Sequence, residues 1–254
     1  MKKKIIITSG PTNEMIDSVM KITNMSTGAL GCVFAETFLE DKEEEIEKIF
    51  FISTKMSYKP RVKSTKIEYV TVESTKDLID ALERIFSENK IDIVIHSAAV
   101  GDYTGRYSIR AEELVEEIWD TIKKNSTEEI TKEKLMEIFE NPRGIADNSG
   151  KMSSYEPHLM TMYNLTPKVI GMIKKQDPNV RLVGFKLLDG VSKEELLSVA
   201  TKLREKNQAD YIVANDLSKI GGGKHWAMIV GEDGVVCECQ TKKDIAMMIE
   251  NLMF

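Results

Sequence analysis

No apolar run in the 254-residue chain approaches the ~20 residues of a membrane-spanning helix, so a helical membrane anchor is not expected. Positive charge is also short: 35 lysines and arginines against 41 acidic residues leave a formal charge of -6. That balance argues against nonspecific nucleic-acid binding. Cysteine is sparse and odd in number. Cys32 stands alone, and Cys237 and Cys239 alternate near the end, with no second ligand pair to complete a zinc site. Reduced thiols in a cytoplasmic protein are expected, and no metal-binding set is assigned. The opening MKKKIIITSGP has an apolar stretch too short for a signal-peptide core and better suited to a first strand. Also missing are GxGxxG, the Walker lysine pattern, a nucleophile elbow and HExxH.

The most informative stretch is residues 8–31, TSGPTNEMIDSVMKITNMSTGALG. An apolar run precedes it and GALGCVFAETFLE follows, so strand, long loop and helix succeed one another. Loops at the carboxyl ends of parallel strands are where open α/β sheets bind ligands. Short hydroxyls and glycines at a helix start can offer N–H groups to an anion, or can simply permit close packing. Strands are expected at 4–8, 49–54, 66–72, 91–100, 180–187 and 209–216, and helices at 28–41, after Ser74, from Thr166–Pro167 and after a Ser192/Glu195 capping box. DKEEEIEK reads as the solvated end of the first helix. HWAMIVG and VVCECQ read as a hairpin across Glu232–Gly234. The reading is an α/β, Rossmann-like, doubly wound, mostly parallel sheet with a small antiparallel appendage, formed by one domain over 1–254. Residues 101–155 form its irregular, variable segment.

Four polar loops, 8–31, 96–103, 184–189 and 214–224, are expected to converge at one sheet edge. His96, at a strand end, is more often a satisfied structural residue than a base. Asp102 follows small side chains that would let a ligand approach; its carboxylate could hold a ribose hydroxyl or a metal, although a lone aspartate points weakly. Lys151, in SGKMSSYEP, could neutralise phosphate charge or be an ordinary surface lysine. Lys202, Arg204 and Lys206 end a helix, where cations are commonplace. Asn215 and Asp216 follow a buried strand, a place for a nucleotide contact or for an ordinary turn.

Taken in order, SGPTNEMIDSVMKITNMSTGALG, HSAAVGDY, GKMSS, LTPKVI, VGFKL and ADYIVANDLS resemble phosphopantothenate–cysteine ligase, in its stand-alone bacterial form, over nearly the whole chain. The resemblance implies joining of 4'-phosphopantothenate and L-cysteine in coenzyme A synthesis, through an acyl-nucleotide made with CTP, ATP being the alternative, with Mg2+ accompanying the nucleotide. It implies that Asn24 holds the acyl group and that Lys151 acts on the activated intermediate. Ser26, Thr27 and Gly28 would present N–H groups to a phosphate, and Ala98, Ala99 and Val100 would line the substrate pocket. Ser9, Gly10, Asp102, Phe185, Lys206, Asn215 and Asp216 would face the nucleotide. A homodimer through the Trp226–Cys239 hairpin is implied too. Three positions depart from the family pattern: Met20–Lys21 replaces an arginine before ITN, Ala29 stands where lysine is common, and Lys186 follows GF in place of an acid. Two other readings remain open at this stage, an NAD(P)-dependent oxidoreductase and a binding protein that has lost the chemistry.

Overall fold

A computed structural model describes residues 2–124, 130–153, 155 and 157–254. They fall into two compact units: residues 1–13, 23–100 and 167–254 make the first, and residues 14–22 and 101–166 the second. The segment expected to be an irregular part of one domain therefore belongs to a unit of its own, completed by nine residues from near the start of the chain.

The first unit is an eight-stranded sheet in the order β12-β11-β10-β9-β6-β1-β4-β5. Its parallel part comprises β1 (Lys3–Ser9), β4 (Ile46–Ser53), β5 (Ile67–Thr71), β6 (Ile93–His96), β9 (Arg181–Leu188) and β10 (Tyr211–Gly221). Because these strands are covered on both faces, they are continuous apolar runs whose alternate residues feed different cores. Ile6, Phe50, Val94, Leu182 and Ile212 pack with α2 (Thr75–Glu88), α5 (Ile170–Gln176) and α6 (Lys193–Asn207). Ile5, Ile7, Phe51, Ile93 and Val183 pack with α1 (Ala29–Asp41) and α7 (Lys242–Met253). Helices on both faces of a mostly parallel sheet bear out the expected fold class.

Local chemistry sets the helix starts. The Ser74 hydroxyl accepts from Asp77 N while the Asp77 carboxylate accepts from Ser74 N, a complete capping box that begins α2. Thr241 and Asp244 do the same for α7. Ser192 caps α6 by accepting from Glu195 N. The acidic run after α1 does not prolong that helix: Glu43–Glu45 make one 3-10 turn, and β4 begins at Ile46. Full burial of Ile46 beside Ile5 and Phe38 overrides the helical pull of the charged residues. α5 starts at Ile170 rather than at the expected Thr166–Pro167, whose Thr166 N donates to the Asp102 carbonyl (3.0 Å). The hairpin of β11 (Lys224–Gly231) and β12 (Gly234–Cys239) forms as expected, but as the antiparallel end of the main sheet.

The second unit has an antiparallel ribbon, β7 (Tyr103–Arg110) with β8 (Leu159–Leu165), and two helices, α3 (Ala111–Lys124) and α4 (Lys132–Glu140). Tyr107, Ile109, Leu114 and Ile138 form its small core. The short strands β2 (Asn13–Met15) and β3 (Lys21–Thr23) pair where the chain passes between the units.

Removing the Ser74 cap with Ser74→Ala should cost about 1 kcal/mol of folding stability. Truncating fully buried Phe34 on α1, with Phe34→Ala, should cost about 3–5 kcal/mol. Urea denaturation of the three proteins at neutral pH measures both losses.

Candidate functional site

In the first unit the chain leaves β1 at Ser9 and stays beside the segment that leaves β6. Ser97 N donates to the Thr8 carbonyl (3.2 Å), Ala99 N to the Gly10 carbonyl (2.9 Å) and Thr12 N to the Ala99 carbonyl (3.3 Å). The pairing of the two strands thus continues past their ends. Asn24 completes it: its Nδ2 donates to the carbonyls of Ala99 (3.1 Å) and Val100 (3.2 Å). The Asn24 side chain therefore fixes the carbonyls at the Ala98–Val100 turn, and its own amide oxygen stays on an exposed residue.

His96 is part of this support. The Thr8 hydroxyl accepts from Ala98 N (3.2 Å), which leaves its proton for His96 Nδ1 at 2.9 Å. Burial pushes the imidazole down to about 4. It is neutral and satisfied, as the structural reading of a strand-end histidine expects.

Three glycines bring α1 against these loops. Gly10 and Gly28 have φ of +78° and +80°, which side-chain-bearing residues rarely adopt. A Cβ on Gly10 would lie 2.0 Å from Ser57 Oγ, and one on Gly31 would lie 2.3 Å from Ser9 Oγ. Ser9 Oγ donates to the Gly28 carbonyl (2.9 Å), and the first bond inside α1 is from Cys32 N to that same carbonyl (3.2 Å). Ser26 Oγ accepts from Gly28 N and Thr27 Oγ1 from Ala29 N, each at 3.4 Å. The helix start is thus partly capped by its own hydroxyls, with further first-turn amides following at Leu30 and Gly31.

The other expected loops are mostly strand. Residues 184–188 belong to β9 and 214–221 to β10. Phe185 is partly buried and meets Phe34 of α1 edge-on at 5.8 Å. Asn215 is buried against His225, Nδ2 to Nε2 at 2.6 Å. Asp216 accepts from Gly190 N (3.0 Å), Ser218 N (3.0 Å) and Ser218 Oγ (2.7 Å), and these bonds hold its carboxyl below the usual range. It ties the turn after β9 to β10.

Ser9, Gly10, Asn24, Ser26, Thr27, Gly28, Ala98, Ala99 and Val100 are thus brought together at the carboxyl edge of the sheet, and Phe185, Asn215 and Asp216 lie on the neighbouring strands of that edge. Lys206 is the exception. A helix that connects parallel strands runs back along them, so the last turn of α6 stands beside the amino end of β10, at the opposite edge. Asp102 and Lys151 belong to the second unit. There Lys151 is exposed, in a segment that Asp17 anchors by accepting from Met152 N (3.0 Å).

One feature of the same edge escaped the sequence reading. Residues 55–66 carry five lysines and arginines and no acid. Tyr58 N donates to the Thr27 carbonyl (3.0 Å), which seats this loop on the start of α1. Lys59 Nζ donates to Ser53 Oγ (2.5 Å) and the Thr54 carbonyl (3.1 Å), and burial lowers its pKa. Beyond it a groove of about 650 Å³ is lined by Lys59, Arg61, Lys63 and Tyr69 among others. A basic run within an acidic chain was the available signal.

Residues 1–134 match the family DFP, the DNA/pantothenate metabolism flavoprotein C-terminal domain. The chain belongs to this family. It is 33% identical to the DNA/pantothenate metabolism flavoprotein from Streptococcus pneumoniae, whose crystal structure superposes with a TM-score of 0.78 over 99% of this chain and 98% of that one. It is 31% identical over 231 residues to the Coenzyme A biosynthesis bifunctional protein CoaBC of Thermococcus kodakarensis, covering 91% of this chain and 45% of that protein. The chain spans about half the length of the curated relatives it matches. A Cab2 mutant solved in complex with phosphopantothenate-cysteine shares the fold, at 14% identity and a TM-score of 0.66 over 99% of this chain and 87% of that one.

Gly10→Ala should destabilise the DFP-family fold by more than about 1 kcal/mol from backbone strain alone. Gly150→Ala, where a Cβ meets nothing within 4 Å, should be close to neutral. Thermal melts of the two variants separate them. His96 adds a pH dependence. Its folded value of about 4 lies below the ordinary 6.5, so between these values the unfolded chain binds the extra proton. Stability is therefore full above about pH 6.5 and falls as the pH drops towards 4. His225, also pushed down to about 4 by burial, contributes in the same window. Denaturant midpoints at pH 7.5 and 4.5 should differ less in His96→Gln than in the wild type.

Proposed function

We propose that the chain is a phosphopantothenate–cysteine ligase of coenzyme A biosynthesis. The observation that carries this reading is the Asn24 side chain seated on the carbonyls of Ala99 and Val100. It gathers the residues implied to hold the acyl group at a ligand-binding sheet edge, in a family whose relatives bear coenzyme A biosynthesis in their names.

In this reading the phosphopantothenate carboxylate attacks the α-phosphorus of a nucleoside triphosphate. A C–O–P link forms, the bond to the β-phosphate oxygen breaks, and pyrophosphate leaves. The cysteine amine then adds to the acyl carbon, loses a proton and expels the nucleotide monophosphate. Neither step needs a nucleophile from the protein, in keeping with a site made of backbone amides, carbonyls and short side chains. The protein's share is orientation and charge neutralisation. Asn24 and the Ala98–Val100 turn orient the acyl end. The start of α1 at Ser26–Gly28 meets phosphate with its amides and its positive dipole end. Lys151 supplies a mobile point charge to the activated intermediate, and Asp102 reaches the nucleotide. Ser9, Gly10, Phe185, Asn215 and Asp216 complete the nucleotide side. Lys206, at the opposite edge of the sheet, is left out of this site.

We take CTP as the preferred nucleotide, with ATP as the alternative. Mg2+ accompanies the triphosphate, whose charge it neutralises. A homodimer through the β11–β12 hairpin has a free edge strand, β12, with Val235 and Val236 about half exposed. Cytoplasmic residence follows from the same reading. Its partners are small molecules and a second copy of the chain, and no helix among the described residues is long and apolar enough to cross a membrane.

Pyrophosphate release with phosphopantothenate and Mg2+ tests the proposal, first without cysteine and then with it. Release that requires phosphopantothenate, is faster with CTP than with ATP, and yields phosphopantothenoylcysteine once cysteine is added is the expected result. No release with either nucleotide overturns the ligase reading and returns attention to nicotinamide cofactors or to binding alone. Asn24→Ala and Lys151→Gln should each lower turnover by about a hundredfold while leaving the melting temperature within a few degrees. Near-normal turnover in either removes that residue from the mechanism.

A further inference from the structure

Asp17 is nearly buried, 4% exposed, and lies in the turn between β2 and β3. Its Oδ1 accepts from Val19 N (2.7 Å) and Met20 N (2.6 Å), which closes the turn. Turn closure explains that oxygen and no more, since asparagine or serine would serve equally. The second oxygen does something else: Oδ2 accepts from Met152 N (3.0 Å), 135 residues away. Beside it Ser18 N donates to the Gly150 carbonyl (3.4 Å). The residues immediately before and after Lys151 are thus both tied to 17–18, and the Met152 side chain is buried while Lys151 is exposed. All of these residues belong to the second unit.

We propose that Asp17 is a positioning residue for Lys151. Its carboxylate spans two segments and anchors the backbone on the far side of the lysine, so the flexible side chain swings from a fixed point. Asp17 also closes the turn that leads through β3 to Asn24, and the double variant below separates that route from one through Lys151; in acting through Lys151 the inference rests on the ligase reading.

Asp17→Asn separates the two jobs. The single amide oxygen goes to the turn, where it accepts from Val19 N and Met20 N as Oδ1 does in the wild type, and the NH2 then faces Met152 N, which has no acceptor left. In the full-length protein the Met152 amide should exchange with solvent about tenfold faster, while those of Val19 and Met20 change by less than about twofold. Turnover should fall about tenfold with the KM for phosphopantothenate nearly unchanged, and Asp17→Asn/Lys151→Gln should be no slower than Lys151→Gln alone. Unchanged Met152 exchange, unchanged turnover, or additive losses in the double variant each overturn the inference. If the wild type releases no pyrophosphate, the ligase reading falls, and the exchange measurement alone decides whether Asp17 holds the Lys151 segment. Should Asp17→Asn fail to fold, Asp17→Ser keeps one acceptor for the turn, lacks the second oxygen and is read in the same way.

Discussion

The close approach of three backbones at the end of β1 is the constraint from which the site follows. Ser9 must fit between α1 and the segment leaving β6, and it fits only because Gly28 and Gly31 carry no side chain, while a bare Gly10 leaves room for Ser57. Once that contact is made, the start of α1 is fixed, the 54–58 turn seats on Thr27, and the segment after β6 lies along the segment after β1. The hydrogen bonds there go from main chain to main chain or are supported by Thr8, Ser97 and Asn24. A surface built in this way presents oriented dipoles at low mobility, which suits recognition of a carboxylate or phosphate better than a set of long charged side chains would.

Charge is distributed differently. The cradle itself holds few ionised groups, and its histidine is neutral. The cations stand in loops, in the 55–66 run on the first unit and at Lys151 on the second. An acidic protein with a basic run in a loop at a sheet edge attracts anionic ligands there without becoming a general polyanion binder.

Much of this was legible in the sequence, because each signal was local. Apolar runs longer than alternation allows marked strands buried on both faces, and serine or threonine followed three residues later by an acid marked helix starts. The 8–31 stretch stood out because glycine, proline and short hydroxyls between an apolar run and a helix have few other uses. What stayed hidden depended on tertiary contact. Ile46 looks helical beside its acidic neighbours until its burial is known. YTGRYSIR and LMTMYNL pair with one another across about 50 residues, and neither declares a strand by itself. Lys206 drew notice as part of a basic cluster, but the direction of a crossover helix, which the letters do not state, puts it at the other edge. Asp17 carried no signal, since the partner of its second oxygen is 135 residues away.

That distance bears on how the molecule can be assembled and rearranged. The second unit is drawn from two stretches, 14–22 and 101–166, with most of the sheet's first half encoded between them. It cannot be excised, transplanted or synthesised as one contiguous piece: removing 101–166 would leave the Asp17 carboxylate without its Met152 partner, and removing 14–22 would strip the anchor from Lys151. Bringing Asp17 to Met152 closes a loop whose entropy is high unless β1, β4 and β6 have already shortened it. Assembly of the smaller unit therefore depends on the strands of the larger one.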